Sequence, residues 1–265
     1  MMNKVALIIR YLVRRYSSGR MVTVFPDDVF IVSYPKSGNT WARFLIGSLY
    51  HQNSLVDFLN IEQKVPDIYK NSDSKLLKIK RPRILKSHEY LDPRYKKVIY
   101  IVRDPRDVAV SYYHHAIKFG DIAADYPMSR FVTRFIDGEI DPYGTWYENV
   151  ASWLHTRGSA ENFLMLRYED LLNNTQHVLI EVAKFLELNI NIDVLDGVIE
   201  HSSLDSMQRL EQKQSYLWSS TRNIRKDKPF VRVGKSGGWK SELPASSARS
   251  IEEKWGSLMS ELGYR

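Results

Sequence analysis

The side chains best able to do chemistry crowd into Tyr34-Pro35-Lys36-Ser37-Gly38-Asn39-Thr40. A cation, two hydroxyls and an amide sit around one glycine. Before them runs Val29-Phe30-Ile31-Val32, a short apolar stretch that predicts a buried, parallel strand. After them Trp41, Leu45 and Leu49 recur one turn apart with Ala42 and Ile46 beside them, which predicts a helix with a buried face. Pro35 stops a central strand, and Gly38 lets the backbone turn tightly and approach a ligand. Strand, tight loop and helix aim free N–H groups and the positive helix end at one spot, where an anion belongs. Because Lys36 precedes Gly38, the order G-x-x-x-x-G-K-[ST] is absent, so the loop predicts a phosphate or sulfate group but not ATP with magnesium. The competing reading is a structural turn with an exposed lysine.

Two more clusters fall at the ends of short apolar runs. Arg83-Ile84-Leu85-Lys86-Ser87-His88 reads as a strand finishing in polar groups. Lys86 and His88 are two residues apart and so share a side, and the carboxyl ends of parallel strands carry the ligand crevice, so both are expected on the rim of Lys36. Residues 97–102 read as another buried strand, followed by Arg103-Asp104-Pro105-Arg106-Asp107 and a helix through Ser111. An arginine fork suits a phosphate dianion, and the Ser111 hydroxyl can complete its hydrogen bonds. Arg106 and Asp107 are expected to cap the helix and pair locally. His114 and His115 are neighbours, about 100° apart on a helix, and no carboxylate spacing supports a metal there, so both are expected to be structural or surface residues.

These stretches resemble the cytosolic-type sulfotransferases that use 3′-phosphoadenosine 5′-phosphosulfate (PAPS). Tyr34 to Trp41 is similar to that family's 5′-phosphosulfate loop, with Asn39 where a threonine is usual. Lys86-Ser87-His88 is similar to its K-[ST]-H motif, whose histidine is the catalytic base. The run YIVRDPRDVAVSYYHH resembles its 3′-phosphate motif, with Arg103 and Ser111 in the contacting positions. The resemblance implies that Tyr168, in Tyr-Glu-Asp after a strand at 163–167, meets the adenine. It also implies that Ser202, Leu204 and Met207 hold the adenine. Phe230 to Leu243 resembles R-K-G-x-x-G-x-W-K; Arg232 and Gly234 match, while Val233 replaces the lysine and Gly238 an aspartate. The implied site is therefore catalytic Lys36, Lys86 and His88. PAPS, or its product PAP, would lie on Lys36, Ser37, Gly38, Asn39, Thr40, Trp41, Arg103, Ser111, Tyr168, Ser202, Leu204, Met207, Arg232, Val233 and Gly234. The implied reaction is in-line sulfuryl transfer to a hydroxyl or amine of a small-molecule acceptor, with no metal.

The elements needed to position such a site fit the bulk of the chain. Its 265 residues suffice for one α/β domain, a central mostly parallel sheet flanked by helices, and no repeat or linker divides it. Residues 51–80 form a loop-rich excursion, a wall over the site; 138–154 a turn and aromatic helix that resembles the family's G-x-x-x-[YF]-G-x-[WF] segment lining the acceptor region, with Trp146 and Trp153 read equally well as core; 171–188 and 245–262 amphipathic helices. There is no cysteine, which excludes disulfides, thiolate metal sites and cysteine nucleophiles and fits a cytoplasmic protein. The net charge of +7 fits an anionic small ligand, nucleic acid or an anionic membrane. Residues 1–20 alternate apolar and arginine residues; a helix docked on the domain is favoured over one lying on a membrane. Two rival functions stay open: an ATP-dependent small-molecule kinase on the same core, and a basic nucleic-acid-binding protein. The first lacks the magnesium-positioning loop order, the second any recognisable reading helix. The dimerisation sequence of the resembled family is not recognisable, and no dimer is inferred.

Overall fold

Alternation along two strands fixes the centre of the molecule. Val29, Ile31, Ile99 and Ile101 enter one apolar cluster, while Phe30, Val32, Val98 and Tyr100 enter another. A strand whose two faces are both buried must lie inside a layered fold, as parallel strands do. The computed structural model describes residues 19–52, 54–214, 216–218, 230–231 and 234–265. Within them, β1 (Val29–Ser33), β2 (Ile84–Ser87), β3 (Lys97–Val102) and β4 (Phe163–Arg167) form one sheet in the order β2-β1-β3-β4. Every neighbouring pair is parallel, and Val32 lies opposite both Ser87 and Tyr100. The strands therefore finish side by side, which lines up Ser33, His88, Arg103 and Arg167 along one edge.

The helices that follow the two central strands pack on opposite faces. Helix α1 (Asn39–Tyr50) buries Ala42, Leu45, Ile46 and Leu49 against Val29 and Ile31. Helix α2 (Pro105–Lys118) buries Val108, Ala109 and Ala116 against Phe30 and Val32. A crevice is left where the chain leaves β1 one way and β3 the other, the switch point at which open α/β sheets hold ligands. α3 (Met128–Ile136) and α4 (Trp146–Arg157) complete the second face, where Trp146 and Trp153 are fully buried in the core and do not line the cavity. A capping box fixes where α4 begins: the Glu148 N–H donates to Thr145 Oγ1 while the Thr145 N–H donates to Glu148 Oε2.

The amphipathic stretch 171–188 is not one helix. It divides into Tyr168–Asn173 and α5 (Thr175–Phe185), with Asn174 between them at φ −136° and ψ 46°. Asn173, Asn174 and Thr175 are weak helix formers in a row, and Thr175 Oγ1 donates back to the Leu171 carbonyl at 2.8 Å. α6 (Ile192–His201) and α7 (Leu204–Gln214) follow, and α8 (Ala245–Glu261) returns to the second face through Ile251 and Trp255. A third apolar cluster of Phe44, Val56, Phe58, Ile61, Met207 and Trp218 ties the excursion after α1 to α7. Among the described residues no helix is long and apolar enough to cross a membrane. Nearly all of the 1–20 segment lies outside the described residues.

Candidate active site

The β1–α1 loop is shaped by two residues in the left-handed region. Lys36 has φ 70° and Gly38 φ 93°. A Cβ on Gly38 would lie 2.5 Å from the Tyr168 ring, so only glycine lets that ring close on the loop. The Ser37 N–H donates to the Tyr34 carbonyl at 3.3 Å, which closes the turn. α1 begins at Asn39, so the N–H groups of Asn39, Thr40 and Trp41 fall in its first turn, where no intrahelical acceptor exists. Asn39, which stands where the resembled family has threonine, donates from Nδ2 to Ser33 Oγ at 3.1 Å. Ser37 Oγ is buried with no partner among the described residues.

One strand away, β2 delivers a histidine and a lysine to the same cavity. His88 Nδ1 is 2.7 Å from the Ser33 carbonyl oxygen. A carbonyl only accepts, so Nδ1 carries the proton and Nε2 keeps its lone pair. Burial, and after it the Lys86 cation, holds the His88 imidazole well below its usual range, so it is neutral at pH 7. Lys86, expected to be available to the transferring group, forms a buried ion pair with Asp67 at 3.0 Å. The partner comes from the excursion: the Lys86 N–H donates to the Pro66 carbonyl at 2.9 Å and the Ile68 N–H to the Lys86 carbonyl at 3.2 Å, laying residues 66–68 along β2. Burial pulls the Lys86 ammonium down to about 8, against the pull of Asp67. Lys36 is drawn lower, to about 7, by burial and then by Arg103.

At the end of β3 the Arg103 guanidinium is 8% exposed. Its Nη1 donates to the Lys36 carbonyl at 3.3 Å and its Nη2 to the Lys235 carbonyl at 3.0 Å. Its Cζ stands 4.3 Å over the Tyr168 ring, and Nε is buried without a partner among the described residues. Ser111 faces the cavity from α2. At the start of α2 Arg106 pairs locally as expected, with Asp104 at 2.7 Å, while the cap and Asp107 differ from expectation. Asp104 is the N-cap, accepting from the Arg106 N–H at 2.9 Å, and Arg106 also reaches Glu252 and the Tyr264 carbonyl. Asp107 does not pair locally; it accepts the N–H groups of Gly237 at 2.7 Å and Trp239 at 3.0 Å, pinning the C-terminal glycine loop beside Arg103. In that loop Gly234 packs against Leu204, whereas Arg232 and Val233 lie outside the described residues.

A cavity of about 580 Å³ joins these groups. Of the expected site residues it is lined by Lys36, Gly38, Asn39, Thr40, Trp41, Lys86, His88, Arg103, Ser111, Tyr168, Leu204, Met207 and Gly234. Ser37 and Ser202 lie behind its wall with buried hydroxyls, and the Ser202 carbonyl accepts from Trp41 Nε1 at 2.8 Å. Among the described lining residues Asp67 is the carboxylate, set against Lys36, Arg43, Lys70, Lys86, Arg103 and Lys235. Such an excess of cations with buried hydroxyls nearby can bind an anion carrying several charges. Tyr143, Phe119, Trp218 and Phe230 give the remaining wall an aromatic character.

Among the lining residues that a reading of the sequence does not place at the site, His115 and Asp67 each pair with an expected lysine. His115, expected to be structural or at the surface, faces the cavity with Nδ1 3.0 Å from Lys36 Nζ, whereas its neighbour His114 pairs with Glu242. The signal was its spacing: Ser111 and His115 are four apart on a helix and share a face. Asp67 carries no such signal, because its partner belongs to a strand distant in sequence.

Molecules with this fold are known. The structure matches mouse sulfotransferase SULT7A1 complexed with PAP at a TM-score of 0.72 and 24% identity, covering 91% of this chain and 88% of that one. It matches retinol dehydratase in complex with androsterone and inactive cofactor PAP at 0.74 and 21%, covering 94% and 85%. These likenesses show the fold. The sequence settles the family: the sulfotransferase domain model matches residues 26–263, and the chain belongs to that family. Sulfotransferase 1B1 of Canis lupus familiaris is 32% identical over 232 residues, 82% of this chain and 78% of the relative. Sulfotransferase 1E1 of Homo sapiens is 28% identical over 251 residues, 89% and 85% of the two chains.

Proposed function

We propose that this chain moves the sulfuryl group of PAPS to a hydroxyl or amine of a small-molecule acceptor, with His88 as general base. The observation that carries the reading is the 2.7 Å contact of His88 Nδ1 with the Ser33 carbonyl oxygen, which assigns the tautomer. Its Nδ1–H is held by the Ser33 carbonyl, so a neutral Nε2 remains as proton acceptor in the cavity that also holds Lys36. The buried, unpartnered Arg103 Nε, on the cavity wall, fits an anionic nucleotide whose oxygen would accept its missing hydrogen bond.

When bound, PAPS supplies an activated sulfuryl group whose bridging oxygen leaves on the 5′-phosphate. Lys36 would neutralise the charge growing on that oxygen, and the first N–H groups of α1 would hold the 5′-phosphate. Arg103 and Ser111, with Arg232, would grip the 3′-phosphate, and Val233 and Gly234 would contribute backbone there. Tyr168, Ser202, Leu204 and Met207 would hold the adenine. Lys86, already tied to Asp67, would act through its field rather than by direct contact. His88 Nε2 would take the acceptor's proton. We include in the proposal a single domain over residues 1–265, a cytoplasmic location and a small-molecule acceptor, rather than nucleic acid, as partner.

Radiolabelled PAPS offered with a panel of phenols, alcohols and amines tests the reaction. His88→Ala should lower turnover by about 10²–10⁴-fold on the best acceptor while PAP still binds. Normal turnover in that variant would reject His88 as the base.

A further inference from the structure

Lys36 and His115 approach each other from different elements, and each is fixed by its own neighbours. The Lys36 backbone is set by a left-handed turn, and its carbonyl accepts from Arg103 Nη1. The His115 ring lies against Phe119, with centroids 4.1 Å apart, and meets Tyr112 edge-on at 6.1 Å. Between them Lys36 Nζ and His115 Nδ1 are 3.0 Å apart. An ammonium has only hydrogens to give, so with Lys36 charged His115 Nδ1 is the acceptor and its ring proton sits on Nε2. This is the opposite tautomer to that of His88.

We infer that His115 is a positioning residue for Lys36: by accepting a hydrogen bond from the ammonium, it keeps Lys36 charged and aimed across the cavity toward the reacting end. The inference rests on the role proposed above for Lys36. The charges acting most strongly on Lys36 are Arg103 from the end of β3, Lys118 from α2, Lys86 from β2 and Lys70 from the excursion, all of them cations. His115 itself faces Lys36, Lys70, Lys118 and His88, and burial with Lys36 beside it keeps the imidazole neutral. A neutral acceptor is thus the one kind of group that can stabilise the ammonium there without carrying a balancing negative charge. Lys36, drawn down to about 7, stands where that help decides how much of it is charged at working pH.

Competitive acetylation of the ligand-free full chain, read for Lys36 by mass spectrometry across pH 5 to 10, follows this ammonium directly. In His115→Phe the midpoint of Lys36 reactivity should fall by about one to two pH units, the worth of a charge-assisted hydrogen bond. His115→Asn places an amide oxygen near the same point and should return the midpoint to within a few tenths of a unit of wild type. Thermal melts that match wild type show that the variants fold. A Phe variant with the wild-type midpoint would overturn the inference, as would an Asn variant that behaves like Phe. Failure of the wild-type protein to bind PAP would instead sink the donor reading and leave this comparison intact.

Discussion

Arg103 is the residue whose surroundings ask most plainly for a ligand. It is nearly buried, its hydrogen bonds go to carbonyls rather than to a carboxylate, and it stands beside a second cation, Lys36. A buried charge held this way is costly unless an anion joins it. Arg103→Ala should therefore leave the fold intact but weaken PAP by about 10–100-fold in calorimetric titration, the range of a charged hydrogen bond. Arg103→Lys should restore only part of this, since an ammonium cannot present the planar fork. PAP affinity unchanged in Arg103→Ala would mean that the guanidinium serves the fold alone. Lys36, His88, Arg103 and Ser111 were legible in the sequence because each lies inside a contiguous stretch whose chemistry shows locally. Asp67 was not, because its partner lies on a strand distant in sequence; His115 showed only through its spacing of four from Ser111, a signal the adjacent His114 obscured.

At the scale of elements, function depends on two βα units whose helices depart to opposite faces of the sheet, with a third segment drawn in beside them. That third segment is the glycine loop after residue 234, and Asp107 is its anchor. Replacing Asp107 by Ala strands the Gly237 and Trp239 N–H groups and should cost about 1–3 kcal/mol in chemical denaturation. PAP binding should weaken with it, because Arg103 Nη2 leans on the Lys235 carbonyl of the same loop. A variant with wild-type stability would show that the loop holds itself. The four strands and the helices that follow β1 and β3 were readable from apolar periodicity. The break at Asn174 was not, since the apolar pattern continues across it while the backbone does not. The role of Asp107 was missed for a related reason: a helix-start aspartate looks like a cap, and Asp104 had already taken that place.

For the whole molecule, the cluster of cations is a burden until an anion arrives. Lys36 and Lys86 are drawn from an ordinary lysine value near 10.5 to about 7 and about 8. Above those values the folded chain has lost protons that the unfolded chain still holds, so stability must rise with pH there. The Lys36 share can be isolated. From pH 6.5 to 9 the ligand-free wild type should gain on Lys36→Met by up to about 1.4 kcal/mol per pH unit, read from denaturation midpoints. Saturating PAP should flatten that difference by favouring the charged lysine, and parallel pH profiles for the two proteins would contradict the assignment. The overall α/β architecture and the meeting of Lys36, Lys86 and Arg103 on one rim could be foreseen from the chain; the addition of Arg43, Lys70 and Lys235 could not, because nothing local marks them as cavity residues. The most direct test of that convergence is calorimetry with PAP against adenosine 5′-monophosphate, which lacks only the 3′-phosphate. The account predicts that PAP binds at least about 10-fold more tightly and that Arg103→Ala erases the difference. Equal affinities for the two nucleotides in the wild-type protein would contradict it.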